Sequence, residues 1–437
     1  MTALLADYFR RLGRGQPWRW RGSVVESVGQ TVESAGPPVS VGECCEIRDQ
    51  AGYAHSAEAI GFRGSHVLSM PVEAAEGIRF GDPVLGLGIS PEIEVGSGLL
   101  GRVLNAQGKP IDGGAAPAAS TALPLNGAVR SPFDRVPIDE PLGTGIRTID
   151  ALLTIGRGQR VGIFGGSGVG KSTLISMMTR NTEAEVTVVG LVGERGREVG
   201  EFLRDSLGAD GLRRAVVVVS TSDQSPILRM RAALAATAVA EFFAAEGKNV
   251  LLVLDSLTRF AMAAREIGLA AGEPPTAKGY TPSVFARLAR LLERAGRFRT
   301  GSITAFYTVL MEGDDQQDPL VDAVRALLDG HVVLSRSLAA EGWYPPIEVL
   351  DSISRLMPAV AGEEHRGQAA LIRKLMAVYA RSEDLVRIGA YKAGADPELD
   401  RALSAREAIR AFLTQDAREE IRFPESLRRL AALAGEV

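Results

Sequence analysis

The run Gly165-Gly166-Ser167-Gly168-Val169-Gly170-Lys171-Ser172-Thr173 is the stretch of this 437-residue chain whose residue types and spacing most directly specify a chemistry. A glycine, four residues, then Gly-Lys-Ser fits a loop whose backbone N–H groups curl inward around phosphate oxygens. A helix opening at Lys171 would turn the positive end of its dipole toward the same anion. Lys171 then reaches the β- and γ-phosphates of a nucleotide, and the Ser172 hydroxyl can ligate Mg²⁺. The chain has only six lysines, so chance is a poor account of one falling in this frame.

Nucleotide chemistry needs two further groups. One is a carboxylate on the metal side. Val250 to Leu254 is an apolar run ending in Asp255, at the C-terminal end of an expected buried strand, where open α/β sheets bind ligands. Capping the next helix is the alternative role for Asp255. The other is a group that activates or orients water. The apolar run Thr187 to Val192 leads into Gly193-Glu194-Arg195-Gly196-Arg197-Glu198, which places Glu194 at the same edge as a candidate base. A solvated charge cluster is the plainer reading of that run.

These groups need a frame. Arg160–Phe164, Glu185–Val192, Ala215–Ser220, Asn249–Leu254 and Ser302–Val309 are near-continuous apolar runs, and segments such as Ser225–Ala245 and Ser283–Ala295 have helical length and period. Doubly buried strands alternating with helices imply an α/β domain with a mainly parallel sheet. Ahead of it, from Gly22 to about Ser90, Val24-Val25, Val39 to Val41, Val67-Leu68 and Val84-Leu85 alternate with turn signals and suggest the strands of a small barrel or sandwich. Residues 91–148, rich in Gly and Pro, read as a connector. After about Arg355 the strand signals stop, and Glu364–Tyr379, Pro397–Leu413 and Pro424–Leu433 read as helices. The expected division is 1–21, 22–90, 91–355 and 356–437. Residues 1–21 combine Leu4, Leu5, Tyr8, Phe9 and Leu12 at helical spacing with five arginines, either a helix on its own domain or a docking segment for a partner or an anionic membrane surface.

Composition narrows the classes. Apolar residues make up 46% and charged residues 23%, an ordinary globular balance. The net charge of −4 disfavours a protein that coats nucleic acid. Cys44 and Cys45 are adjacent and offer no ordinary disulfide framework, which fits a reducing compartment. No signal peptide opens the sequence, and no apolar run approaches the roughly 18 residues of a spanning helix. A cytoplasmic protein, at most peripheral to a membrane, is expected.

Several longer runs are more specific still. Gly193 to Gly200, Leu254-Asp-Ser-Leu-Thr-Arg259-Phe260, Gly272-Glu-Pro-Pro275, Gly279 to Phe285, Gly301 to Tyr307, Leu328 to His331 and Asp351-Ser-Ile-Ser-Arg355 resemble the rotary-type ATPases. That superfamily holds the ATP synthase α and β subunits and the export ATPases of flagella and type III secretion systems. The resemblance spans nearly the whole chain. Gly156 to Arg160, Glu312 to Asp315, Ile388 to Tyr391 and Gly394 to Pro397 look more like the export branch, and Pro358 with Glu364-His365 more like its flagellar members. Asp351 and Gln316-Gln317 are less usual for either export type.

The resemblance implies an N-terminal β-barrel, a central RecA-like P-loop ATPase core and a C-terminal helical domain. It implies ATP and Mg²⁺ as ligands. Lys171 and Ser172 match the phosphate-loop lysine and the Mg²⁺ hydroxyl, Asp255 the carboxylate on the Mg²⁺ shell, and Glu194 the glutamate that polarises the attacking water. Arg195 and Arg259 match positions near the γ-phosphate, Tyr344 the aromatic that stacks on adenine, and Arg355 an arginine finger donated to a neighbouring subunit. Glu194 and Arg355 on one chain imply a homohexameric ring. The implied partners are a stator-like regulator at the N-terminal segment, a central stalk reached by the loop Glu312–Asp318, chaperone–substrate complexes and an export gate at the inner membrane. Virulence-type secretion is the alternative, then the catalytic subunit of a proton-translocating synthase. A nucleic-acid translocase fits poorly, because Tyr53, Phe62 and Phe80 are the only aromatics between Gly22 and Ser90 and no basic run accompanies them. Glu194 argues against a purely structural ring subunit.

Overall fold

Six strands open the described chain. The computed structural model describes residues 20–118, 120–127, 130–311 and 318–436, apart from the side chain of Ser206. The expected docking segment at residues 1–19 and most of the expected stalk-facing loop, residues 312–317, lie outside these. Strands β1 (Arg21–Val28), β2 (Thr31–Ala35), β3 (Cys44–Arg48), β4 (Ala54–Arg63), β5 (His66–Pro71) and β6 (Pro83–Gly86) close into a barrel in the order β1-β2-β5-β4-β3-β6. Val24, Val32, Cys45, Ile47, Val67 and Val84 point inward and form its core. A barrel rather than a sandwich is therefore correct. The strand expected at Val39 to Val41 is instead a loop, because Pro37 and Pro38 ahead of it have no N–H to give a ladder.

The segment expected to be a connector carries strands. β7 (Glu92–Val95) pairs antiparallel with β9 (Thr121–Pro124), and between them β8 (Val103–Asn105) joins the edge of the central sheet beside Val217–Val219. Three residues between turn-forming glycines give no periodicity to read; β8 exists because the neighbouring strand needs a partner.

The central sheet adds β10 (Arg160–Gly165), β11 (Val186–Glu194), β12 (Ala215–Thr221), β13 (Asn249–Asp255), β14 (Gly296–Arg297), β15 (Ser302–Leu310), β16 (Gly330–Leu334) and β17 (Ile347–Ser354). Its order is β17-β16-β10-β15-β13-β11-β12-β8, with β14 antiparallel beside β15. All strands along that order run parallel except the edge strand β17. Strand period divides each buried run between two cores: Val250, Leu252 and Leu254 of β13 face one layer, Leu251 and Val253 the other. The first layer includes α3 (Pro226–Ala245), α4 (Leu257–Ala270) and α5 (Pro282–Leu292). The second includes α1 (Arg147–Leu152), α2 (Lys171–Asn181) and the C-terminal helices α7 (Glu363–Arg387), α8 (Pro397–Leu413) and α9 (Phe423–Glu436), while α6 (Pro319–Leu327) packs with the first.

Two buried polar links fix the outer parts to the sheet domain. The Arg231 guanidinium of α3 donates to Glu58 of β4 at 2.7 Å, joining the barrel to the core. Gln415, just after α8, accepts from the Arg147 N–H at 2.9 Å and donates to the Gly145 carbonyl at 2.9 Å. No helix among the described residues is long and apolar enough to cross a membrane.

Candidate functional site

β10 delivers the chain to the phosphate loop at the C-terminal edge of the sheet. Gly168 and Gly170 take positive φ values of 76° and 105°, open to glycine at no steric cost. Nothing lies within 4 Å of where a Cβ on Gly168 would stand, whereas a Cβ on Gly166 would sit 2.5 Å from the Arg336 guanidinium. Val169 is buried under the loop, and Ser167, Ser172 and Thr173 face outward. Lys171 is buried, its Nζ donating to the carbonyls of Gly165 at 3.0 Å and Gly166 at 2.7 Å. Burial lowers its pKa, while Asp255 and Glu194 oppose the shift.

Two strands away, β13 ends at Asp255, which is 6% exposed. The peptide to Ser256 is cis. Ser256, not Asp255, caps α4: its Oγ accepts from the Arg259 N–H at 3.3 Å. The capping alternative for Asp255 is thereby settled. Asp255 Oδ1 instead accepts from Thr308 Oγ1 at 2.6 Å. Burial raises the Asp255 pKa, opposed by that hydrogen bond and by Lys171.

β11 lies beside β13, with Leu191 opposite Asp255, and runs on through a register shift to Glu194. Gly193 bends there with φ 69°, and a Cβ on it would meet the Arg259 side chain at 3.0 Å. Burial first, then the charge of Asp255 and the hydrogen bond and charge of Glu198, push the Glu194 carboxyl up to about 8. Arg259 pulls the other way, and its Nε is buried without a hydrogen-bond partner. Lys171, Glu194, Asp255 and Arg259 therefore converge. Arg195 does not join them; it is exposed and paired with Glu198 at 3.7 Å.

Tyr344 borders the loop from the other side, its Cε1 3.8 Å from where a Cβ on Gly170 would lie. Its carbonyl accepts from the Gln415 N–H at 2.8 Å, and the residue is 45% exposed. Arg355 is exposed and remote. It follows β17, whose last residue pairs with Gly330 at the opposite end of β16 from the phosphate loop. Sequence reasoning missed Thr308, Arg336 and Gln415. Thr308 lies hidden in an apolar strand, and the other two come from segments distant in sequence, Arg336 at the start of a short helix and Gln415 just after α8.

The arrangement fits a nucleoside triphosphate with a divalent cation. Hard oxygen donors, the Ser172 hydroxyl and the Asp255 carboxylate, suit Mg²⁺ rather than a softer metal. The glycine cradle, the buried ammonium and the orphan Arg259 Nε suit phosphate oxygens.

Residues 145–354 match the ATP synthase alpha/beta family, nucleotide-binding domain, and residues 361–432 the T3SS EscN ATPase C-terminal domain. The chain is 49% identical over 433 residues to the flagellum-specific ATP synthase of Treponema pallidum, covering 99% of this chain and 97% of that one. It is 51% identical over 417 residues to the flagellum-specific ATP synthase of Pseudomonas aeruginosa, covering 94% and 92%. It is 50% identical over 395 residues to the type 3 secretion system ATPase of Xanthomonas euvesicatoria, covering 90% and 89%. The assembled ATPase EscN of the enteropathogenic E. coli type III secretion system superposes with a TM-score of 0.88 at 41% identity, covering 94% of this chain and 100% of that one. The same ATPase has been solved in complex with its central stalk EscO, with a TM-score of 0.87 at 41% identity over the same shares of the two chains.

Proposed function

Since this chain belongs to the ATP synthase alpha/beta family, in the branch of flagellum-specific and type III secretion ATPases, we propose that it hydrolyses ATP to energise protein export through the flagellar type III apparatus. The observation that carries the reading is the convergence of Lys171, Glu194 and Asp255 at one edge of the sheet.

The loop from Gly165 to Thr173 binds the phosphates through its N–H groups and Lys171. Tyr344 offers its exposed ring to the adenine. Ser172 and, through water, Asp255 would hold Mg²⁺, which when bound offsets the charge on the phosphates. Glu194 orients water for in-line attack and takes its proton, while Arg259 adds positive charge beside it. Glu194 acts in its ionised form, which burial and Asp255 disfavour and Arg259 favours. Arg195, exposed and paired with Glu198, is left without a part in this step.

Arg355 completes the site of the next copy in a homohexameric ring. The assembled state of EscN and its complex with a stalk support self-assembly around a central stalk. Chaperone–substrate complexes, a stator-like regulator and an export gate at the inner membrane complete the proposed setting, with the chain cytoplasmic and peripheral to that membrane.

Virulence-type secretion is the second reading, favoured by the 50% identity to the Xanthomonas type 3 ATPase and by the match of residues 361–432. Pull-down from the cells that make the chain separates the two: flagellar chaperones support the first, injectisome partners the second, and a synthase stalk overturns both. Turnover by the purified chain alone excludes the need for a second, non-catalytic subunit.

A further inference from the structure

β15 is the strand between β10, which carries the phosphate loop, and β13, which carries Asp255. Thr308 sits on it opposite Ile163 of β10, one residue beyond the pair Leu254–Tyr307. Its side chain is fully buried and therefore must spend its hydroxyl proton on something nearby. Two acceptors are in reach, Asp255 Oδ1 at 2.6 Å and the Leu254 carbonyl at 3.4 Å. The shorter contact has the length of a charge-assisted hydrogen bond and takes the proton. Two residues on, the Leu310 N–H donates to Thr258 Oγ1 at 2.8 Å, so the end of β15 pins the turn after Asp255 a second time.

The Lys171 ammonium nearby rests on the Gly165 and Gly166 carbonyls and attracts Asp255 without a direct ion pair to it. What holds the carboxylate is the neighbouring strand. A β-branched Thr adds stiffness at χ1, so its hydroxyl position is fixed by the backbone.

We propose that Thr308 is a positioning residue: its hydroxyl clamps Asp255 Oδ1 and so preorganises that carboxylate for the Mg²⁺–nucleotide complex. The inference rests on the reading of Asp255 as the metal-side carboxylate. Hydrogen-bond partners of metal-binding carboxylates contribute about 10–100-fold to metal affinity.

The test titrates Mg²⁺ into the full chain with a fluorescent ADP analogue, reading nucleotide affinity rather than turnover. Thr308→Val and Thr308→Ala remove the donor, one preserving volume and the other not, so misfolding of either leaves the other to decide. Both are expected to need about 10–100-fold more Mg²⁺ for half-maximal effect. Affinity in EDTA stays unchanged, and Thr308→Ser restores the parent's Mg²⁺ dependence. Parent-like behaviour of the folded donor-less variants, or a serine variant as defective as they are, overturns the proposal. Asp255→Asn separates the levels. If it too leaves the Mg²⁺ dependence unchanged, the reading of Asp255 falls and this inference with it; if it shifts while Val and Ala do not, the inference alone falls.

Discussion

Lys171 and Arg355 stand at opposite ends of the same sheet. Lys171 Nζ is held by the Gly165 carbonyl, where β10 ends. The Arg355 N–H is held by the Asp329 carbonyl, and the Asp329 carboxylate binds Arg160, where β10 begins. The length of β10 lies between them, about 17 Å at the rise of a strand. Arg355 cannot serve its own chain's phosphates, and it is exposed at the sheet's outer edge, where a second copy can meet it.

Arg355→Ala is therefore expected to lower ATP turnover by about 10³–10⁵-fold while leaving nucleotide affinity nearly intact. Lys171→Ala should lose both. Mixing the two inactive variants should restore turnover, because an intact phosphate loop on one subunit then meets an intact arginine on its neighbour. Specific activity of the parent should also rise steeply with protein concentration. A mixture as inactive as its components would refute the trans role.

Glu194→Gln keeps the shape of the site and removes its base. Turnover is expected to fall by about 10²–10⁴-fold with ATP binding retained. Equal turnover in variant and parent would exclude Glu194 as the base.

The same substitution has a signature in stability. Burial and Asp255 raise the Glu194 pKa from 4.5 to about 8, so between those values the folded chain holds a proton that the unfolded chain has released. Stability contributed by this group is lost as pH rises through that window. Thermal unfolding of nucleotide-free protein should show Glu194→Gln gaining on the parent from about pH 5 to about pH 8.5. Parallel Tm curves would mean that Glu194 is ionised normally.

Tyr344→Ala removes the exposed ring beside Gly170. Base stacking on an aromatic contributes about 1–3 kcal/mol, so KM for ATP should rise roughly 5- to 150-fold with kcat at saturation little changed. A fall in kcat at unchanged KM would assign Tyr344 another role.

Glu58→Ala strands the Arg231 guanidinium in the interface between barrel and core. Removing one member of a buried pair costs about 3–5 kcal/mol, which a lowered urea midpoint would register. Lys374→Ala, breaking the exposed Lys374–Glu398 pair, is the control and should leave the midpoint almost unmoved. Equal shifts would mean that the barrel is held by its apolar contacts alone.

Much of this site was legible in the residues. The phosphate loop is legible because glycine spacing and a following Lys-Ser are local requirements of phosphate binding. Glu194 and Asp255 fall at the ligand edge because each follows a buried apolar run, and the C-terminal ends of parallel strands line that edge. Strand β8 and the loop at Val39–Val41 escape a local reading for the converse reason. Each is set by a partner or by missing N–H groups, not by its own periodicity.

Short-range patterns in the residues mark the candidate site side chains and the strands on which they ride, since phosphate loops and buried strands are written locally. Which of them meet is set by the packed fold. It turned Arg195 outward, set Arg259 behind Gly193, brought Thr308 against Asp255 and sent Arg355 to the far end of the sheet. Those outcomes depend on strand order, and strand order is fixed by how two buried cores close around one sheet, a property no segment of the chain holds alone.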